Sequence, residues 1–408
     1  MDSNTVPCAK VQSKEVFVPG GPGVLAGAST FYTRAEGIEK LCYRTTSTRS
    51  DTTDTFERRF SRDNGRTWSE WETIPFFTRS EEGVHRTGIQ PGWADPETDR
   101  LLTMVTHGTL PTDNPLEGMK NWTLRYRVSL DGGRTFTIDE QVIQKGGYTP
   151  EQPLRGVVVG KNSFMIGAEA CQLVRNAGGQ FLVPVQITPV GPDGEYYNPG
   201  GGYTYHEAAV LIGRWTEDAR VEWDLSHTVA NDPARSTRGC VEPTLARMPD
   251  DRLLMVIRGS NGGAQDPECR IPGHKWYAMS CDGGFTWTEP EIWTYDDGEP
   301  FLSPSSCSQL LKHSSGNHYW IGNICAENPC ANSPRYPLVM GQVDPESCLL
   351  VKDSLAIIDT RGPGESETLQ LSNFLAYEDR ETGFITMHMS RFVPDGWHGD
   401  AHLYQIEV

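Results

Sequence analysis

The sequence predicts an all-β chain built as a six-bladed β-propeller. One short turn pattern recurs three times, a strand-turn-strand pattern recurs six times, and no stretch reads as a long amphipathic helix. The turn pattern is Ser-x-Asp-x-Gly-x-Thr-aromatic, at Ser61–Trp68, Ser129–Phe136 and Ser280–Trp287. Asp beside Gly makes a tight turn, because the carboxylate accepts backbone N–H bonds and Gly tolerates positive φ. The Trp or Phe then enters the apolar layer as the next strand begins.

The first two copies lie 68 residues apart and the second and third 151, about two such periods with the middle copy lost. The missing unit is expected at VLIGRWTEDARVEWDLS, which carries Trp215 and Trp223. Dividing the chain by a period of about 65 to 75 residues gives roughly six units, each long enough for four strands. Closed all-β chains of this length are commonly one domain, so residues 1–408 are read as a single propeller, with the N-terminal ~20 residues contributing a closing strand.

The second pattern is a strand, a polar turn and a returning apolar strand, at 35–44, 95–107, 176–186, 249–258, 314–323 and 379–390. The returning strands end on Arg44, Thr106 or His107, Gln186, Arg258, Asn323, and Ser390 followed by Arg391. If these are the inner hairpins of six blades, their ends surround one mouth of a central channel. Ordinary surface ends are the plainer account of the Gln, Asn and Thr positions. Two arginines among the ends suit an anion, since a guanidinium fork matches a carboxylate or sulfate.

Composition narrows the partners. With 36 Lys+Arg against 54 Asp+Glu the net charge is −18, and no basic cluster offers a footprint for nucleic acid or an anionic membrane. No apolar run reaches membrane-spanning length, and Met1–Gly20 lacks a basic and then apolar leader pattern. The expectation is a soluble chain, cytoplasmic or secreted with its leader removed. Ten cysteines are too sparse for a disulfide scaffold. Cys325 and Cys330 bracket a short loop, CAENPC, without a second pair at zinc spacing, so neither metal nor cofactor is expected.

From about Gly27 to the C-terminus the chain resembles the Asp-box sialidases (neuraminidases), which are six-bladed propellers. The three turn motifs are similar to Asp-boxes, and the likeness is sharpest in CVEPTLARMPDDRLLMVIRGS, Cys240–Ser260. The resemblance implies that Glu242 is the carboxylate that polarises the nucleophile in that family, and that Arg258 grips a substrate carboxylate. It also implies that Arg335, in ENPCANSPRYP, is a second carboxylate-binding arginine, and that the acid/base Asp lies in TTSTRSDTTD, as Asp51 or else Asp54.

Two family features are missing. The first inner strand, AGASTFY, has no arginine, and LQLSNFLAYED puts Leu371 where the tyrosine nucleophile stands, with Tyr377 six residues further on. A covalent route through tyrosine therefore has no nucleophile. Glu242 and Asp51 remain as a carboxylate pair for a single inverting displacement, and partial burial of Asp51 would favour its acid role. A simple ion pair between Glu242 and Arg258 that closes the blade is the plainer account of the same residues.

Other residues support other chemistries. His85, His107 and His206 would suit a polysaccharide lyase that abstracts a proton beside a uronate carboxylate, although each also reads as an ordinary loop residue. Gly191–His206 has the glycines and tyrosines of a sugar-stacking lid, or of a plain surface excursion. In HRTGIQPGWADP, Arg86, Gln90 and Trp93 are expected near the mouth, with Arg86 a replacement for the lost arginine. The leading reading is a sialidase-like glycoside hydrolase acting on an acidic or other exo-linked sugar. Its catalytic residues are Glu242, Asp51 and His206, and its substrate contacts are Arg258, Arg335, Arg44, Arg86, Gln90 and His107. The alternatives are a lyase on uronate-containing glycans and a glycan-binding propeller without catalysis.

Overall fold

A computed structural model describes residues 6–168 and 173–408. The structure is 46% strand and 3% helix, and among the described residues the strands form five sheets. The largest sheet, of eight strands, consists of two four-stranded runs that pair with each other through a parallel bridge between Leu25 and Gly399. One run is Gln370–Glu378, Ile385–Val393 and His398–Glu407, with Lys10–Val18 added antiparallel along the last; the other is Leu25–Tyr32, Lys40–Ser47, Thr55–Ser61 and Glu72–Thr73. The N-terminal segment thus closes a sheet that the C-terminal strands begin. Among the described residues no helix is long and apolar enough to cross a membrane.

All six returning strands expected from the sequence are present, and each pairs antiparallel with the strand before its turn. Lys40–Ser47 pairs with Leu25–Tyr32, Leu101–Leu110 with Trp93–Ala94, and Phe181–Ile187 with Val174–Arg175. Leu253–Arg258 pairs with Val241–Arg247, His318–Asn323 with Gln309–Lys312, and Ile385–Val393 with Gln370–Glu378. Phe181–Ile187, Leu253–Arg258 and His318–Asn323 are buried throughout, as strands covered on both faces must be, which explains their unbroken apolar runs.

The Ser-x-Asp-x-Gly-x-Thr turns sit at the far ends of the outer strand pairs. Asp63 follows Thr55–Ser61, Asp131 follows Thr123–Ser129, and Asp282 follows Lys275–Ser280. In the first, Asp63 accepts hydrogen bonds from the Thr67 amide (2.8 Å) and hydroxyl (2.6 Å), while Ser61 Oγ accepts from the Gly65 amide at 2.8 Å. The other two turns repeat these bonds. These contacts hold the Asp63 and Asp131 carboxyls at about 2, against the burial that works to raise Asp131. The motif is complete without a ligand. In the third unit, which lacks it, Glu207–Trp215 and Val221–Leu225 are joined by a turn in which Thr216 bonds Asp218 and the Arg220 carbonyl.

The polar ends of the returning strands stitch neighbouring units together. Gln186 accepts from the Glu242 amide, Asn323 donates to the Leu371 carbonyl and Ser390 to the Ala26 carbonyl. Each contact satisfies a backbone group on the next inner strand where the ladder has ended. At the opposite end of the first unit a buried ion pair, Lys40 Nζ to Asp379 Oδ2 at 3.0 Å and supported by Asn64, links the first unit to the last. Apolar clusters fill the space between units, around fully buried Trp223, Trp276, Trp293 and Trp320.

Candidate active site

Glu242 lies at the second position of the inner strand Val241–Arg247, where a bulge between Val241 and Thr244 interrupts the pairing. Its φ is +45°, a conformation that non-glycine residues adopt at a cost, and the bulge re-aims its side chain. The carboxylate accepts a hydrogen bond from Arg258 Nη1 at 2.6 Å. Burial pushes the carboxyl up, but Arg258, Arg238 and Arg335 outweigh it and hold Glu242 below the usual glutamate range. The ion pair with Arg258 expected as the plainer account is therefore real, and it sits within a larger cationic group.

Arg258 and Arg335 come together as the sequence suggested. Arg258 donates through Nε to Ser305 Oγ at 2.9 Å, and Arg335 donates through Nη2 to the Ser305 carbonyl at 3.0 Å and through Nη1 to Gln370 at 2.8 Å. One serine thus positions both guanidiniums. Arg335 Nε is buried without a partner.

Two cations that sequence reasoning missed complete the group. Arg238, four residues before Glu242, is held by the Thr204 hydroxyl and carbonyl, and burial with the Arg258 charge pulls it down to about 9. Lys275 is fully buried, is the cross-strand neighbour of Arg258, and donates to the Ser306 carbonyl. Burial, reinforced by Arg258, lowers it to about 7. Burial likewise lowers Arg335 to about 10. Three buried arginines and a buried lysine therefore surround Glu242, which among the described residues hydrogen-bonds only Arg258 of the four. Removing charge from water without a counter-ion is costly, so the arrangement is chemically suited to an anionic ligand.

Asp51 faces the group from the loop after Lys40–Ser47, and its charge is felt by Arg238 and Arg335. It is exposed, so the partial burial that would favour an acid role is absent; instead it accepts a hydrogen bond from the Tyr203 hydroxyl at 3.2 Å. Asp54 is turned back into its own loop, where it accepts from the Thr48 amide and hydroxyl. Tyr203 belongs to the Gly- and Tyr-rich segment, which therefore reaches across to Asp51. That segment rests on the loop Ser260–Arg270 through Gly201 and Ala264, and a Cβ on Gly263 would come within 2.8 Å of the Gly201 carbonyl. The loop Ser260–Arg270 is tied in turn to the Arg335 loop by a disulfide, Cys269–Cys330. Cys330 is thus a disulfide partner, while Cys325 hydrogen-bonds the Pro334 carbonyl.

Four expected contacts lie elsewhere or are engaged otherwise. Arg44 pairs with Glu57 at 2.6 Å and stacks on Trp71, because its cross-strand neighbour offers a carboxylate closer than the channel does. Arg86 makes a two-point ion pair with Asp113 and donates to the Thr53 carbonyl, so it anchors the Asp51 loop and Arg238 takes the place expected of it in the cationic group. His107 bonds Thr123 on the next strand and lies against His85; burial lowers it to about 4. His206 is buried beside Arg238 and Arg258, and burial followed by those charges keeps it neutral, with Nε2 unpartnered. Neither histidine offers a solvent-facing base beside the arginines.

Gln90 faces a cavity of about 290 Å³ between the inner strands of the first, second and last units, together with Asn373 and Thr53. Leu371 is fully buried in the apolar core, and Tyr377 hydrogen-bonds Thr30 in the interior. A bulge interrupts the pairing between Leu371 and Phe374, and Asn373 is its exposed residue, with φ +56° and its amide N–H meeting Cys307.

Several solved structures share the fold. A protein of unknown function from Dyadobacter fermentans is 14% identical, with 99% of this chain and 100% of that one covered at a TM-score of 0.62. The NanB sialidase of Streptococcus pneumoniae is 12% identical over 93% of this chain and 68% of that one, with a TM-score of 0.58. The GH93 alpha-L-arabinofuranosidase of Fusarium graminearum is 11% identical over 97% and 98%, with a TM-score of 0.53. No curated protein matches the sequence. Residues 60–349 match the model of the BNR repeat-like domain, and the chain belongs to that family.

Proposed function

We propose that this chain is a sialidase-like glycoside hydrolase, a single six-bladed propeller over residues 1–408, that acts on an acidic sugar at the mouth formed by Arg238, Arg258, Arg335 and Glu242. The observation that carries the reading is the excess of buried positive charge over the one carboxylate. A sugar carboxylate supplies an anionic ligand and takes the guanidinium forks pairwise. Counting the two four-stranded runs of the largest sheet separately supports six blades.

In this reading Glu242, kept ionised by its arginines, faces the sugar and activates a water or stabilises the developing positive charge. Asp51 is the second carboxyl and delivers a proton to the leaving oxygen in its protonated form, which neither burial nor its hydrogen bond from Tyr203 favours in the free site. The burial of Leu371 supports a single displacement, since no phenol stands at that position to form a glycosyl intermediate. The positions of His107 and His206 weigh against the lyase reading.

The test is hydrolysis of aryl glycosides of sialic, glucuronic and galacturonic acids, with the first-formed anomer followed by NMR. Inverted product that disappears in Glu242→Gln supports the reading. An unsaturated product, or saturable binding of acidic sugars with no product, points to the lyase or the lectin.

A further inference from the structure

The inner strands have a second end, away from the arginine group. Arg335 meets the last inner strand at Gln370, whereas Tyr377 lies seven residues further along it, about 20 Å at roughly 3.3 Å per residue. Tyr32 and Lys312 end the inner strands of the first and fifth units on the same side, each opposite the start of its returning strand. A cavity of about 530 Å³ opens among these residues. Trp93, expected near the mouth, lines this cavity instead.

Most polar side chains of the cavity are committed. Thr30 and Tyr377 share a hydrogen bond at 2.8 Å, and the Tyr32 hydroxyl donates to Asn64 at 2.9 Å. Glu378, the one carboxylate, accepts from the Ser314 amide at 2.8 Å and from the Ser314 hydroxyl. Lys312 is exposed, and among the described residues its ammonium makes no hydrogen bond or ion pair. The indole N–H of Trp93 likewise has no hydrogen-bond partner among them. Arg380 stacks on Tyr32 at 4.0 Å and donates to the Gly37 and Arg34 carbonyls, so its charge is not paired with a carboxylate.

What is left over is therefore positive charge and donors, beside apolar walls from Phe31, Pro91, Leu173 and Leu375. An ammonium and an indole N–H can only donate, so they match a group that only accepts, and an ionised carboxylate is such a group. A sugar would bring hydroxyl donors for which these two side chains offer no acceptor. The apolar walls and the Trp93 ring suit a flat hydrocarbon ring, and the volume falls within the range of small-molecule pockets.

We infer that this cavity is a binding site for an aromatic carboxylate, with the ring against Trp93 and the carboxylate on Lys312. The site is independent of the glycosidase reading, because none of Glu242, Arg238, Arg258, Lys275 and Arg335 lines it.

The probes are 2-naphthoate and its neutral analogue 2-naphthalenemethanol, titrated into the full chain at pH 7 by calorimetry. Naphthoate is expected to bind the wild type at least about tenfold more tightly than the alcohol, as one hydrogen bond to a charged group implies. Lys312→Met should bring naphthoate to the level of the alcohol and leave the alcohol unchanged. Ala35→Phe adds bulk at the cavity wall without altering charge and should weaken both probes. Arg258→Lys should change neither. Circular dichroism melting checks that each variant is folded. Absence of naphthoate binding, equal binding of the two probes, or naphthoate binding untouched by both Lys312→Met and Ala35→Phe overturns the inference. Naphthoate binding that falls in Arg258→Lys and not in Lys312→Met overturns it as well, by placing the anion on the arginine group.

Discussion

Arg258 donates a 2.6 Å hydrogen bond to the carboxylate of Glu242, and the same arginine rests on Ser305, whose carbonyl holds Arg335. This pairing fixes Glu242 as a charged group while leaving most of the surrounding positive charge unanswered. It also separates two effects of mutation. Glu242→Gln keeps an acceptor for Arg258, so the fold should survive while the rate falls by about a hundred to ten thousandfold, read from kcat at unchanged melting temperature. Glu242→Leu leaves the buried Arg258 unpaired and should destabilise by about 3–5 kcal/mol in chemical denaturation.

Lys275 makes the site pH-dependent. An anion bound beside it favours the protonated form, so affinity for an acidic ligand should be highest below about 7 and fall as the pH rises through that value. Titration calorimetry across pH 5.5–8.5 measures this, and Lys275→Met should flatten the profile. The same group affects stability in the opposite sense: its folded pKa lies below its unfolded one, so the unfolded chain binds more protons between about 7 and 10.4, and stability from Lys275 rises with pH over that window.

The first and last units are joined by the buried pair of Lys40 and Asp379. Burial alone would raise the Asp379 carboxyl, but Lys40 and neighbouring donors hold it at about 2, so its contribution is full above about 3.9 and is lost as pH falls toward 2. Lys40→Met leaves a buried carboxylate without its cation and should cost about 3–5 kcal/mol at pH 7. Acid unfolding should then begin at higher pH, as followed by tryptophan fluorescence.

The disulfide Cys269–Cys330 closes a 61-residue loop, for which the chain-entropy relation gives about 4 kcal/mol. Cys330→Ser should therefore lower stability by about 2–4 kcal/mol. It should also raise KM for an acidic substrate, because the released loop carries Asn332 and Arg335, both part of the arginine group. Unchanged KM with lowered stability would confine the bond to a structural role.

Much of the architecture was legible because it repeats. Asp63, Asp131 and Asp282 advertise their turns through local chemistry, and each returning strand follows a recognisable polar turn. Glu242 and Arg335 were legible only through the resemblance to the Asp-box sialidases, and Arg258 through that resemblance and its place at the end of a returning strand. Arg238 and Lys275 were not, although signals existed: Arg238 precedes Glu242 by four residues, and Lys275 opens the strand KWYAMS that pairs with Arg258. Seeing them required knowing the bulge at Glu242 and the register of the third strand, and both are settled by contacts between units. Arg44 and Arg86 misled because strand position fixes where a side chain starts and not which carboxylate captures it. Glu57 and Asp113 decided those two cases. Tyr203 was legible only as part of a tyrosine-rich segment, since its reach to Asp51 depends on how glycines 200–202 pack against Thr237 and Ala264.

The most direct test of the account is the hydrolysis of aryl glycosides of acidic sugars by the wild-type chain, Arg258→Lys and Glu242→Gln side by side. The account predicts turnover by the wild type, a raised KM in Arg258→Lys because a point charge cannot reproduce the fork, and near-complete loss of kcat in Glu242→Gln. Turnover that is indifferent to both substitutions, or release of a neutral sugar with no response to Arg258→Lys, would contradict it.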